Sequence, residues 1–94
     1  MGNIRYSADA ITDLVALRSY IAQQNPGAAR RVADRIVKSV NGLAQHPQLG
    51  KPGRVAGTRE LVIPKFPYVI CYDEQDGNCL ILRILHQAMQ WPRR

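Results

Sequence analysis

Ninety-four residues, 46% of them apolar, fit a single domain over 1–94 with one modest core. Thirteen basic residues against seven acidic ones leave a net charge of +6, which favours acidic or polyanionic partners. The basic residues are spread along the chain without the like-charge run of a disordered nucleic-acid arm, and no stretch has the length of a membrane span.

The N-terminal "MGNIRYSADA" lacks the basic segment and apolar run of a signal peptide, so the expectation is a cytoplasmic protein without membrane contact. Gly2 follows Met1, but Tyr6 stands where a myristoylation signal needs Ser or Thr. Cys71 and Cys79 fit no zinc or CxxC spacing; reduced, partly buried thiols are expected, with no metal and no cofactor.

In chain order, "NIRY" suits a short first strand. Ser7 is placed to cap a helix, and Asp9 in the first turn opposes the helix dipole. Ile11, Leu14, Val15, Arg18, Ile21 and Ala22 recur at helical spacing, with Leu17 and Tyr20 widening the stripe, which predicts a helix from about Ala8 to Gln24. Asn25 then caps a second helix with Pro26 at its first position. Ala29, Val32, Ala33, Ile36, Val37, Val40, Leu43 and Ala44 form its apolar face as far as about Gln45. So short a connection implies an antiparallel helical hairpin.

"HPQLGKPGRVAG" is rich in Gly and Pro and is expected to be a loop. The period then becomes that of strands in "TRELVI", "PYVICY" and "CLILRILH", the last two joined as a hairpin by "DEQDGN". The predicted fold is α+β, in the order β-α-α-β-β-β, with the helical hairpin on one face of a small, mainly antiparallel sheet.

In "CLILRILH", strict alternation puts Leu80, Leu82 and Ile84 on one side and Cys79, Ile81 and Leu85 on the other, with Arg83 the sole charge. Two helices cover one face, so the other is expected to expose an apolar area that a protein partner or a second copy would cover. Arg83, inside an otherwise apolar strand, needs an acidic partner when covered; Asp73, Glu74 or a carboxylate of another chain are candidates.

This element order, with "GTRELVIPKFPYVICY" and the closing "ILRILHQAMQWP", resembles the RelE/ParE family of bacterial type II toxins over nearly the whole chain. It looks most like the ParE branch, in which a strand ending Arg-Ile-Leu-His, here Arg83 to His86, is a common signature. The resemblance implies a toxin neutralised by a cognate ParD-like antitoxin in a hetero-oligomer, with operator DNA engaged only through the antitoxin. It further implies a chain that acts by binding DNA gyrase and is not itself an enzyme.

The RelE branch cuts ribosome-bound mRNA, and the resemblance lets its chemistry be checked position by position. Such nucleases place lysines on the second strand, an arginine in the third, and an arginine and a tyrosine after the fourth, to move protons and stabilise charge on phosphate. Here the lysines fall at Glu60 and Val62, the first arginine at Val69, the second at Gln87, and the tyrosine near Arg93, so none matches. A ribosome-dependent endonuclease using His86 with nearby arginines remains the alternative, and an inactive toxin-derived domain that only binds antitoxin is a third.

His86 could be a general base, a structural hydrogen-bonding group or a target contact. Trp91 is either a core-closing side chain or an interface anchor beside Arg93 and Arg94. Candidate target contacts are therefore Arg83, His86, Trp91, Arg93 and Arg94, with Arg54, Arg59 and Lys65 as a possible cationic rim around the sheet. Candidate antitoxin contacts are Leu14, Leu17, Tyr20, Ile21, Val69, Cys71 and Ile81. Arg30, Arg31 and Arg35 read either as a solvated helix face or as steering charges for an acidic partner.

Overall fold

The structure is a computed structural model and describes residues 2–88; Trp91, Arg93 and Arg94 lie outside the described residues. Its elements are β1 (Ile4–Tyr6), α1 (Ala8–Gln24), α2 (Pro26–Gly42), β2 (Lys51–Pro52), β3 (Arg59–Val62), β4 (Tyr68–Gln75) and β5 (Asn78–His86). The strands form one sheet in the order β1-β5-β4-β3-β2. Among the described residues only β1 runs parallel to its neighbour, β5, and the other pairings are antiparallel. The α+β architecture with a helical hairpin on one sheet face is the expected one. The additional strand, β2, is a two-residue edge pairing inside the Gly/Pro-rich segment, too short to leave a periodic signal.

Ser7 caps α1 by accepting the Ala10 N–H at 3.0 Å. Asn25 serves both helices. Its backbone N–H donates to Ile21 O at the end of α1, and its side chain accepts the Ala28 N–H at the start of α2. A single residue thus closes the hairpin. Helix α2 stops at Gly42 rather than Gln45, because Leu43, Ala44 and Gln45 turn back with short-range bonds to Val40, Asn41 and Gly42 carbonyls.

The hairpin between β4 and β5 is tighter than the six-residue connection suggests. Asp76 and Gly77 both take positive φ, 53° and 85°, forming the two-residue turn that matches strand twist, so the strands extend to Gln75 and Asn78. Glu74 steadies it by accepting the Gly77 N–H at 2.9 Å.

The core lies between the helices and the inner sheet face. Val32, Ile36 and Val40 from α2, its C-cap Leu43, and Ala10 and Leu17 from α1 pack against Ile63, Ile70, Tyr72, Cys79, Ile81 and Ile84. The last three of these do not belong to one alternating set, and a bulge explains why. Tyr72 pairs with Ile81 but Cys71 pairs with Arg83, so Leu82 is an extra residue in β5. Inward positions therefore run Cys79, Ile81, Ile84. Strict alternation puts Ile81 on the same face as Arg83 and Leu85; the bulge separates them, so that Ile81 is fully buried in the core while Arg83 and Leu85 face outward.

The bulge is pinned by the start of α1. The Ser7 N–H donates to Ile81 O and its hydroxyl to Leu82 O, both at 2.9 Å. Parallel pairing with β1 ends at Ile81, and beyond it Asp13 stands in for a neighbouring strand by accepting the Ile84 N–H at 3.0 Å.

Tyr72 ties the loop before β2 to the core. Its hydroxyl accepts the Gly50 N–H at 2.8 Å and donates to Pro47 O at 2.9 Å. Gly50 is required there, since a Cβ would sit 2.8 Å from the Tyr72 ring and 3.0 Å from Glu60 O. Burial pushes the Tyr72 hydroxyl above its ordinary pKa, keeping it a donor. Tyr72→Phe leaves the buried Gly50 N–H without its partner and is expected to cost about 1–3 kcal/mol in urea unfolding; a change within error would show that solvent replaces the hydroxyl.

Candidate functional site

The outward sheet face is organised by register. Glu60, Cys71 and Arg83 form one cross-strand row, and Val62, Val69 and Leu85 the next. Val69, Cys71 and Leu85 form a small buried cluster of their own. The expected exposed apolar patch is therefore not found on this face. Val69, Cys71 and the inward-turned Ile81 present almost no surface to a partner, and Leu17 is buried against the helix side of the sheet.

Two ion pairs flank that cluster. Arg54 holds the buried Glu60 through Nε and Nη2, at 2.9 and 3.2 Å, and its backbone N–H adds a third bond at 2.9 Å. Arg83 engages Asp13 in a two-point fork, Nε to Oδ2 at 2.7 Å and Nη2 to Oδ1 at 3.0 Å. The strand pattern implies an acidic partner for Arg83, with Asp73 or Glu74 as the nearest candidates in sequence. Asp13 supplies it instead, from α1. Its placement is visible in principle: it sits three residues after Ala10 and four before Leu17, the buried residues of that helix.

The expected cationic rim is thus mostly consumed inside the molecule. Arg59 donates to Gly50 O at 2.9 Å and to Gln48 O at 3.4 Å, bracing the loop before β2. Lys65 is exposed in the turn after β3, with φ at 71°. Cys71 lies among these pairs, and burial pushes its thiol up to about 11, so the thiol stays protonated at neutral pH and is a poor nucleophile. Both cysteines are free and buried.

His86 ends β5, with its ring edge-on to Tyr68 at 5.6 Å between centroids. Nδ1 accepts the Ala88 N–H at 3.1 Å, so the neutral ring carries its proton on Nε2 and offers a donor there. No carboxylate is bonded to it among the described residues. Three or more potential metal ligands do not cluster anywhere among the described residues.

Exposed apolar side chains gather instead on the helices and at the β3 edge. Val15 and Tyr20 are each 63% exposed and Ile11 52%, while Leu14 and Ile21 are half-buried beside them. A hollow of about 360 Å³ between α1 and α2 is lined by Leu14, Arg18, Arg30, Ala33, Asp34 and Val37. A second, of about 390 Å³, lies between α2 and β3. Arg18, Arg30, Arg31, Arg35 and Lys38 are exposed on the hairpin, and none makes an ion pair among the described residues.

Against known families, residues 4–91 match the family described as ParE toxin of type II toxin-antitoxin system, parDE. The chain belongs to the ParE toxin family. Toxin RelE2 of Caulobacter vibrioides is 41% identical over 88 residues, covering 94% of this chain and 98% of that one. Y4kP of Sinorhizobium fredii is 40% identical over 90 residues, covering 96% and 93%. A solved structure of the chromosomal ParDE TA system from P. aeruginosa superposes with a TM-score of 0.81 at 25% identity, covering 92% of this chain and 96% of the other. The ParE-family fold thus extends across the described chain, and its outward face in this member carries paired charges around a buried apolar strip.

Asp13 has two duties, and removing it leaves both a cation and the Ile84 N–H without a partner. Asp13→Ala is expected to cost about 2–4 kcal/mol. In a double-mutant cycle Asp13→Ala and Arg83→Ala should couple by about 1–2 kcal/mol, measured by denaturant unfolding; additive losses would mean the fork contributes nothing beyond its separate parts.

Hydrogen bonds from Arg54, before its charge, hold the Glu60 carboxyl below its ordinary value. A depressed folded-state value means the stabilisation is complete above the unfolded value, roughly 4.3, and is lost as pH falls through the folded one. Glu60→Gln should therefore be less stable than the parent at pH 7, with the difference shrinking below about pH 4. A difference that does not vary with pH would contradict this.

Proposed function

We propose that this ParE-family chain acts by binding DNA gyrase and blocking its cycle, and that a cognate ParD-like antitoxin neutralises it by covering the helical hairpin. The observation that carries the non-enzymatic reading is the outward sheet face. A ribonuclease of this fold needs unencumbered cations and a proton-accepting group there. Here Arg54 and Arg83 are neutralised by Glu60 and Asp13, and Val69 is buried. His86 has Nδ1 occupied by the Ala88 N–H and a proton on Nε2. To accept a proton at Nδ1 the ring would have to give up that bond, and to accept one at Nε2 it would first have to change tautomer.

The antitoxin reading rests on a different surface. Exposed Ile11, Val15 and Tyr20, beside Arg18, Arg30 and Arg31 that form no ion pair among the described residues, suit an acidic, amphipathic segment that orders on binding. The Pseudomonas relative, whose structure is that of a ParDE toxin-antitoxin system, supports the same class of partner for this chain. Of the seven antitoxin contacts expected from sequence, Leu14, Tyr20 and Ile21 retain exposed surface.

A second reading, cleavage of ribosome-bound mRNA, is favoured by the 41%-identical Caulobacter relative that carries the name RelE2. One experiment separates the two. Purified chain is added to gyrase with relaxed plasmid and ATP, with and without antitoxin, and supercoiling and cleaved DNA are scored in parallel with mRNA integrity on programmed ribosomes. Antitoxin-reversible loss of supercoiling or trapped cleavage complexes is the expected result. Intact supercoiling together with mRNA cleavage that His86→Ala abolishes would replace the gyrase reading.

A further inference from the structure

Helix α2 has two unlike sides. Val32, Ile36 and Val40 are buried in the core, which fixes the helix on the sheet. The opposite, solvent side carries Arg31, Arg35 and Lys38, all exposed, at spacings of four and three residues that a helix places in one row. At 1.5 Å per residue the row runs about 10 Å along the axis. None of the three forms an ion pair among the described residues. The acid of this helix, Asp34, lies toward α1, where it lines the hairpin hollow with Arg30, whereas Arg35 and Lys38 border the hollow on the β3 side.

The composition of this row selects its occupant. Val37, the exposed large apolar residue of α2, belongs to the hollow toward α1, so the row itself offers no apolar centre. A protein–protein contact is built around such a centre, with aromatic or aliphatic anchors in pockets. Contacts to duplex DNA are more polar and more basic, and they go largely to phosphate oxygens from Arg and Lys. A duplex carries one negative charge per about 1.7 Å of its axis, so a rigid row of cations about 10 Å long finds phosphates within reach whatever the sequence.

We infer that the solvent side of α2 is a duplex-DNA contact, in which Arg31, Arg35 and Lys38 donate to phosphates of the DNA that gyrase is handling and so hold the chain on the gyrase–DNA complex. This rests on the gyrase reading above and adds the nucleic acid to the target. Because the contact is to the backbone, it carries no sequence preference of its own. The net charge of +6 draws the chain to the duplex, and the row fixes which side of it arrives.

The test titrates the full chain, free of antitoxin, into a short fluorescent DNA duplex at several salt concentrations and reads anisotropy. Affinity should fall with salt on a log–log slope of about −3, about 0.9 for each phosphate engaged. Arg31→Gln, Arg35→Gln and Lys38→Gln should each flatten that slope by about 1 and weaken binding about fivefold to tenfold. Arg5→Gln, an exposed neutralisation on β1, should do neither. Inhibition of supercoiling by the three variants should weaken in parallel with their DNA affinity. No binding by the parent chain, or a slope that Arg5→Gln flattens as much as Lys38→Gln, would overturn the row as a DNA contact. Parental inhibition of gyrase with all three residues neutralised would overturn its part in targeting and leave the gyrase reading standing. Duplex binding through the row by a chain that leaves supercoiling intact would remove the gyrase reading while the DNA contact itself stands. Tighter binding to duplex RNA than to duplex DNA would overturn the assignment and give the face to the ribosomal reading instead.

Discussion

The arrangement depends on one contact, the carboxylate of Asp13 against β5. Strand β1 leaves the sheet after three residues, and the longest strand would otherwise continue with an unpaired edge. Asp13 fills that place with a single side chain, accepting a backbone N–H and a guanidinium together. Ser7 holds the carbonyls of Ile81 and Leu82 just before it. Between them they fix the bulge at Leu82, and the bulge decides which side chains of β5 reach the core. Without it, Ile84 would face outward and Arg83 inward, an arrangement that no core of this size tolerates.

This contact also marks where the sequence stops being legible. Helix starts, both caps and the order of the longer strands follow from Ser7, Asn25, Pro26 and the change of period, because those signals are local. The apolar content of "CLILRILH" on both alternating sets suggests two greasy faces, whereas it reflects one face whose phase changes midway. A bulge costs a single residue and leaves no compositional trace, so only the partner strand reveals it. The same limit applies to Arg83, whose need for an acid is plain from the strand while the identity of that acid, 70 residues away, depends on tertiary placement. In sequence Glu60 is a position where a catalytic lysine is missing; in the folded chain it is a carboxylate that keeps Arg54 in place over the sheet.

The basic charge divides accordingly. Arg54, Arg59 and Arg83 serve the structure, bonded to carboxylates or loop carbonyls. The hairpin arginines and Lys38 remain turned to solvent beside apolar side chains. Because of this separation, the charges exposed on the hairpin can be screened or satisfied without disturbing those that maintain the sheet.

The parallel pairing of β1 with β5 couples segments far apart in sequence: Ile4 lies opposite Cys79. A growing polypeptide can build the helical hairpin early, from contacts close in sequence, but β5, which joins β1 to the rest of the sheet, is complete only once His86 has been added. The bulge and the Asp13 fork consequently form only after β5 has been made. A nascent copy that stops short of β5 carries the helices without the sheet that orders them, so any harm this fold does to its host cell is deferred until that strand has been made.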